Sequence, residues 1–152
     1  MMLVHDAAFA AYDAGLSVVP PAEDGTKRPL STWKQYQHFR PTADQLHEWY
    51  GPRTGYGPRT GLGAVLGKVS GNAEAFEFDE REVYEQFVAL AHRSGLGDLI
   101  QKLEEGYVED SPSGGVHWLY RCETIAGNTK LATRPKRPGE QRDPKDKIET
   151  LI

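Results

Sequence analysis

Two acidic residues lie two positions apart in the segment 75–79, which reads Ala-Phe-Glu-Phe-Asp. Successive side chains of a β-strand point to opposite faces, so a strand would place Phe76 and Phe78 on one face and Glu77 and Asp79 on the other. The two carboxylates would then lie roughly 7 Å apart, at about 3.3–3.4 Å per residue. Such a pair can bind hard divalent cations such as Mg²⁺. The same alternation is typical of an ordinary amphipathic strand with a solvated acidic face, and the pattern alone favours that simpler interpretation.

A second set of polar groups surrounds the glycine pair Gly114-Gly115, between Ser113 and His117. Glycine lets backbone N–H groups approach a ligand closely, and concave loops lined by such groups bind phosphate. In the strand predicted after the turn, Arg121 shares a face with His117. The opposite face carries Val116, Trp118 and Tyr120. A hydroxyl, backbone amides, an imidazole and a guanidinium could together hold a polyphosphate. A hairpin turn with an incidental histidine is the alternative, and for this motif alone it is favoured.

Basic residues are concentrated in the segment 130–147, where seven Lys or Arg and three acidic residues give a net charge of +4. The rest of the chain has 11 basic and 19 acidic residues, a net charge of −8. A basic segment on an acidic body suits a phosphate-bearing partner. The candidate contacts are Arg134, Lys136 and Arg137. Charge alone favours a solvated loop instead.

Two further groups of basic residues lie nearer the N-terminus. The hexapeptide Tyr-Gly-Pro-Arg-Thr-Gly occurs twice in succession, over 50–55 and 56–61. This repeat gives Arg53 and Arg59 equivalent positions and indicates a duplicated loop rather than a solenoid, which needs at least three longer repeats. The run Lys-Arg-Pro-Leu over 27–30, followed by Trp33, could contact a nucleotide or template phosphates. A surface turn packed over the tryptophan is an equally good interpretation.

The elements that would position these groups form an α+β pattern, because helices and strands interleave without a strict βαβ repeat. One helix is opened by a capping-box pattern at Thr42, and the others follow apolar residues at helical spacing. The strands over 62–66 and 73–79 are predicted to form a hairpin. Predicted helices cover 5–14, 42–49, 80–93 and 98–105; predicted strands cover 16–19, 62–66, 73–79, 107–110, 116–122 and 148–152; loops cover 22–32 and 126–147.

Composition limits the class of protein. The 152 residues favour one domain over 1–152, and a hydrophobic fraction of 38% is enough to form a core. No apolar run approaches the roughly 18–20 residues that span a bilayer, and the N-terminus lacks the basic region of a secretory signal. The single Cys122 excludes an internal disulfide and a Cys-rich zinc site. A reducing, cytoplasmic location and no membrane partner are therefore expected.

The order and spacing of these motifs, from about residue 10 to the C-terminus, resemble a known family. The family is the bifunctional DNA primase/polymerase N-terminal domain of the archaeo-eukaryotic primase superfamily, found in plasmid and phage replication proteins. The resemblance implies an RRM-like primase core with an N-terminal αβ unit packed beside it. It rests on Gly-Leu-Ser-Val-Val-Pro at 15–20, Lys-Arg-Pro at 27–29, Trp33, Trp49, Phe-Glu-Phe-Asp at 76–79 and Ser-Pro-Ser-Gly-Gly-Val-His at 111–117.

The resemblance also implies roles for the candidate residues. Glu77 and Asp79 match the family's acidic pair, although an Asp commonly stands first in that motif. The third carboxylate is either Glu149, in Ile148-Glu149, or a residue just beyond Ile152. Glu77, Asp79 and this third acid would hold two Mg²⁺ or Mn²⁺ ions. Ser113 and His117, with the Gly114 and Gly115 amides, would bind the phosphates of the incoming nucleotide. The charge pattern and the repeat, rather than the resemblance, give the candidate contacts for nucleic acid: Arg53, Arg59, Arg134, Lys136 and Arg137.

The implied activity is template-directed nucleotidyl transfer, as primer synthesis, primer extension or both. A DNA template or primer and a dNTP or NTP are the expected partners. Because the sequence stops three residues after Glu149, a fragment of a larger replication protein is expected, with a helicase domain as a possible C-terminal neighbour. A non-catalytic nucleotide or single-strand binding module is the alternative. A replication-initiator nuclease ranks well below, since the chain has no His-apolar-His triplet.

Overall fold

The computed structural model describes residues 3–30, 32–52, 59–135 and 137–139, and the backbone of 148–150. Within these ranges the chain is a mixture of helices and short antiparallel strands, which confirms the predicted α+β class. None of the helices in the described part is long and apolar enough to cross a membrane. The α-helices are α1 (Val4–Asp13), α2 (Ala43–Tyr50), α3 (Arg81–Arg93) and α4 (Gly97–Glu104); the strands are β1 (Ser17–Val18), β2 (Ala64–Val65), β3 (Ala73–Phe78), β4 (Tyr107–Asp110), β5 (Val116–Arg121), β6 (Thr133–Pro135) and β7 (Ile148–Thr150); 3₁₀ helices cover Trp33–Gln37 and Lys68–Ser70.

The chain divides into two compact units, and the predicted single domain over 1–152 stays a prediction. The first unit comprises Met1–Ala73 with Arg121–Ile125. In it, β1 pairs with β2 antiparallel, with Ser17 opposite Val65. Helices α1 and α2 and the first 3₁₀ helix bury one apolar cluster with β1. Its buried members are Ala8, Val18, Val19, Tyr36, Leu46, Trp49 and Tyr50.

Helix α2 begins as its sequence predicts. The Thr42 side chain accepts a hydrogen bond from the Gln45 backbone N–H at 3.1 Å, which satisfies one of the amides left unpaired at a helix start. Leu46, Trp49 and Tyr50 are its buried residues, spaced so that they share the face turned to the core. The cap and the apolar spacing together fix both the start and the orientation of this helix.

The second unit comprises Glu74–Tyr120 with Ala126–Ile152. Its main sheet has the order β3-β5-β4, and β4 pairs with β5 antiparallel. Helices α3 and α4 pack on one face of this sheet. Phe78, Ala91, Ile100, Val116 and Trp118 are the buried core, with Phe76 and Tyr120 packed against it. The faces predicted for the two Phe residues of β3 and for the apolar residues of β5 are thereby confirmed.

The predicted hairpin between 62–66 and 73–79 is wrong. Strand β2 pairs with β1 instead, and in the described residues its C-terminal end meets β3 through a single bridge, in which Gly67 N–H donates to Ala73 O at 2.7 Å. The intervening residues coil into a 3₁₀ helix, and Gly71 and Asn72 follow it with positive φ angles of 67° and 59°. This geometry leads the chain away from β2 before a ladder can form.

The segment 126–147, predicted to be a loop, contains strand β6. It pairs antiparallel with β7, which falls within the predicted last strand, and Arg134 lies opposite Glu149. Pro135 in β6 has no N–H to donate, so a local reading of the sequence disfavours a strand there. The partner strand overrides that preference, because strand formation depends strongly on pairing context.

Candidate functional site

Strand β3 positions the acidic pair. Its two Phe rings lie 5.1 Å apart between centroids and pack against Trp118, so the alternating Glu77 points away from the helices. Glu77 is exposed, and Asp79, the first residue after β3, is half-buried. The predicted alternation is therefore present for Glu77, whose carboxylate lies on the side of the sheet that the helices leave uncovered, whereas the shared face of Glu77 and Asp79 stays a prediction.

The turn between β4 and β5 is closed by hydrogen bonds to Ser111. Its carbonyl oxygen accepts the Gly114 N–H at 2.9 Å, and its hydroxyl accepts the Gly115 N–H at 2.9 Å. The Ser111 hydroxyl also lies 3.0 Å from the Ser113 hydroxyl. Both glycine amides predicted to bind phosphate thus make hydrogen bonds within the turn. Phosphate binding through them would require those bonds to exchange.

This turn contacts the end of β3 through Gly115. A Cβ atom at Gly115 would overlap the carbonyl oxygen of Phe78 and would lie 3.2 Å from the carbonyl carbon of Asp79 and 3.0 Å from Ser111 Oγ. Only glycine fits here, because the backbones approach too closely for any side chain. The glycine turn and the acidic pair, which lie far apart in sequence, are therefore neighbours in the fold.

His117 is held by a residue that the sequence analysis missed. Its Nδ1 lies 2.8 Å from Glu109 Oε1, across the β4–β5 ladder in which the two residues are directly opposite. Tyr107 donates its hydroxyl to Glu109 Oε2 at 3.0 Å. A carboxylate can only accept, so Nδ1 carries the proton, and Nε2 is the ring nitrogen that Glu109 does not contact. Counting residue pairs outward from the predicted turn would have found Glu109.

The Tyr107 hydroxyl is kept protonated in this arrangement. Partial burial raises the pKa of Tyr107, and its hydrogen bond to Glu109 and the charge of that carboxylate raise it further. Tyr107 therefore remains a donor to Glu109 throughout the neutral range. The Tyr107, Glu109 and His117 side chains form a chain of hydrogen bonds on the same face of the sheet as Glu77.

Two arginines of the basic segment contact Glu80, the residue after Asp79. Arg134 forms an ion pair with Glu80 Oε1, and the two side chains are only 16% and 22% exposed. Arg137 Nη2 lies 3.8 Å from Glu80 Oε2. The start of the basic segment is thus fixed beside the acidic pair. Lys136 lies outside the described residues.

Glu149, the candidate third acid, lies in β7 directly opposite Arg134 of β6. Arg134 of β6 contacts Glu80, which lies just after the end of β3. The backbone of Glu149 therefore lies in the strand that neighbours β6. Asp79 and Glu149 are 70 residues apart in sequence but belong to the same compact unit.

Arg59 has a different setting, in the first unit. Its guanidinium donates to the carbonyl oxygens of Trp49 and Pro21, both at 3.2 Å. Glu23 accepts the neighbouring Thr60 and Gly61 N–H groups at 2.6 and 2.7 Å. Burial opposes ionisation of Glu23, but these amides and the Arg59 charge outweigh it and lower its pKa. A phosphate bound to Arg59 would compete with these bonds. Arg53 lies outside the described residues.

The donor chemistry of the acidic pair fits a hard cation. Two carboxylates on one strand face supply the oxygen ligands that Mg²⁺ and Mn²⁺ prefer. In the ranges whose side chains are described, no group of three His, Cys, Asp or Glu gathers as a metal site. Metal binding by Glu77, Asp79 and Glu149 therefore stays a prediction.

The chain matches no protein-family model, and no curated protein matches it at a significant level.

Proposed function

We propose that the second unit carries a nucleotidyl-transfer site of the primase–polymerase class, acting on a DNA template or primer with a dNTP or NTP. The observation that carries this proposal is the contact of Gly115 with the Phe78–Asp79 backbone. It brings a serine- and glycine-rich turn against a pair of carboxylates, and phosphate and divalent metal are the ligands that these two motifs suit together.

An RRM-like primase core is the fold we propose for this unit. The β3-β5-β4 sheet with α3 and α4 on one face supports it, since the other face remains available to Glu77, Glu109 and His117. The first unit would be the N-terminal αβ unit of that class. We place the protein in the cytoplasm of a prokaryotic host, where a helicase domain would complete a replication protein.

Glu77, Asp79 and Glu149 would hold two Mg²⁺ or Mn²⁺ ions. When bound, such ions activate a 3′-hydroxyl and stabilise the leaving pyrophosphate. Ser113 and His117 would hold the triphosphate, with the Gly114 and Gly115 amides joining if the turn reopens. His117 would donate from Nε2 to a phosphate oxygen while Glu109 stabilises the charged imidazolium.

Nucleic-acid phosphates would replace Glu80 on Arg134 and Arg137, with Lys136 beside them. Arg53 and Arg59 of the first unit are separate proposed contacts for nucleic-acid phosphates, Arg59 in exchange for its carbonyl bonds. A phosphate would take the place of the Glu80 carboxylate, so the arginines would stay paired with a negative charge throughout.

Substitution of Asp79 by Asn tests the site. Asn preserves shape but removes the charge that a hard cation needs, so metal-dependent primer extension should fall by more than about 100-fold, beyond the 10–100-fold typical of outer-shell changes. Asp98→Asn, on the exposed face of α4, is the matched control and should extend primers normally. Extension by Asp79→Asn at the control rate would contradict the proposal.

A non-catalytic nucleotide-binding module is the second candidate. It is supported by the His117 ring, which Glu109 already orients and which would contact phosphate without a metal ion. Nucleotide binding that persists without any transfer in Mg²⁺ or Mn²⁺ would select this candidate over the first.

A further inference from the structure

The first unit contains an open cavity that the proposed transfer site does not use. It has a volume of about 270 Å³ and lies between the first 3₁₀ helix and α2. Three aromatic side chains form much of its wall, namely Trp33 and Tyr36 of the 3₁₀ helix and Trp49 of α2. Ligand pockets typically measure roughly 300–1,000 Å³, so this one suits a single ring system rather than a whole cofactor.

The aromatic wall is rigid at its base and accessible at its rim. Tyr36 and Trp49 are buried and meet edge to face, with ring centroids 5.4 Å apart and an interplanar angle of 86°. Trp33 is only half-buried. Residues three apart in a 3₁₀ helix lie one above the other, which sets Trp33 beside Tyr36. A planar ring entering the cavity would therefore find an accessible indole against a fixed aromatic support.

Polar side chains that can form hydrogen bonds with the edge of a ring also line the cavity. The side chains of Thr32 and Gln35 make no hydrogen bond with any residue that the structure describes. Gln45 donates its amide to Glu48 at 2.9 Å, which leaves its carbonyl oxygen as an acceptor. The cavity thus offers both donors and acceptors beside aromatic faces. That combination suits a heteroaromatic ring with polar edges better than an aliphatic side chain.

The segment that forms one side of the cavity is basic. Residues 27–34 include Lys27, Arg28 and Lys34, all exposed, and no acidic residue, on a chain whose net charge is −4. Backbone bonds from Ala22 N–H to Arg28 O (2.7 Å) and from Leu30 N–H to Pro20 O (3.1 Å) hold Arg28 and Leu30 beside the residues that follow β1. The exposed basic side chains of this segment are therefore the candidates to contact a phosphate attached to a ring in the cavity.

From these observations we propose that the cavity binds a nucleobase, with the basic segment 27–34 contacting the attached phosphate. Stacking on an aromatic side chain tolerates any base, and single-strand binding proteins combine such stacking with a basic surface. The base belongs either to a single strand or to a free nucleotide. The inference goes beyond the proposed transfer reaction and requires neither a metal ion nor the acidic pair.

The test compares fluorescein-labelled oligothymidylate with an abasic oligomer of equal length and charge, by anisotropy in the presence of a chelator. The whole chain should bind oligothymidylate on the order of tenfold more tightly, because stacking contributes only when bases are present. Titration with thymidine monophosphate forms a second arm. If thymidine monophosphate binds while oligothymidylate binds no more tightly than the abasic oligomer, the cavity binds a free nucleotide rather than a base of a single strand.

Two glutamines of the same 3₁₀ helix give a matched pair of variants. Gln35→Ala, at the cavity, should weaken base-dependent binding about two- to tenfold, whereas Gln37→Ala, exposed and outside the cavity lining, should leave it unchanged. Trp33→Phe should retain most of the binding and Trp33→Ala should lose it. Asp79→Asn should bind as the wild type does, which separates this inference from the transfer site. The proposal would be overturned if the abasic oligomer bound as tightly as oligothymidylate and thymidine monophosphate did not bind. It would also be overturned if the two glutamine variants changed base-dependent binding equally.

Discussion

At the residue scale, the Glu109 carboxylate holds the His117 ring through Nδ1, and the proposed phosphate contact of His117 depends on this bond. Replacing Glu109 by Ala removes the acceptor at Nδ1, so the ring is free to rotate and nucleoside triphosphate binding should weaken by about tenfold. Glu109→Gln should lose less, because the amide oxygen can still accept from Nδ1. Calorimetric titration measures the affinity, and ¹⁵N NMR of the ring reports which nitrogen carries the proton.

Asp110→Asn is the matched control for Glu109, since Asp110 is the next residue of β4 and pairs with Arg81 instead. It should leave both the ring tautomer and nucleotide binding unchanged. If His117→Ala abolished nucleotide binding while Glu109→Ala left it intact, His117 would act without help from Glu109. If neither variant weakened binding, the phosphate role of His117 itself would be wrong.

Gly115 provides a second prediction at this scale. Gly115→Ala should lower the free energy of unfolding by about 1–3 kcal/mol, since its Cβ would overlap the Phe78 carbonyl oxygen in a packed region. Gly127→Ala is the control, because nothing lies within 4 Å of a Cβ there. Chemical denaturation compares them, and equal stability of the two variants would contradict the close approach.

The settings of some of these residues could be predicted from the sequence and those of others could not. The difference is how far apart in sequence each residue and its partner lie. The faces of Glu77, Phe76 and Phe78 follow from strand alternation, which is a local rule. The Arg134 ion pair joins residues 54 positions apart in sequence, and the Arg59 bonds reach back 38 positions to Pro21. No spacing rule connects such residues, so only the fold shows that Glu80 and two backbone carbonyls hold these guanidinium groups.

At the scale of elements, the helix cap at Thr42 gives a quantitative prediction. Thr42→Ala removes the oxygen that accepts the Gln45 N–H, so the protein should lose about 1 kcal/mol of stability. Thr32 precedes the first 3₁₀ helix but makes no side-chain capping bond, and Thr32→Ala is therefore the control. Thermal denaturation of both variants should show a lower midpoint for Thr42→Ala alone. Equal midpoints would mean that tertiary packing, not the cap, stabilises the start of α2.

Helices were predicted more reliably than strand pairings for a physical reason. The cap at Thr42 and the apolar spacing of 80–93 are local signals, and they match α2 and α3 closely. A strand needs a partner that can lie anywhere in the chain. Thus the pairing of β2 with β1 replaced the predicted hairpin, and β6 formed in a predicted loop because β7 pairs with it.

At the scale of the whole molecule, charge is separated along the chain rather than balanced. The segment 130–147 carries +4 against −8 elsewhere, and two of its arginines already contact an anion, the Glu80 carboxylate. Exchange of that carboxylate for a phosphate would let the basic segment hold nucleic acid against an otherwise repulsive body. A merely solvated segment would not alter how binding depends on salt.

Joint neutralisation of Arg134, Lys136 and Arg137 to Gln should therefore weaken single-strand binding and flatten its salt dependence. For single strands, the log–log slope changes by about 0.7 for each phosphate contact, so three lost contacts should change it by roughly two. Oligonucleotide affinity across a salt series provides the measurement. The control neutralises Lys68, Arg93 and Lys102, which are exposed and make the same change in net charge. A slope that changes equally in both triple variants would reflect net charge alone, whereas an unchanged slope in the first would direct attention to the basic segment 27–34 as the phosphate contact.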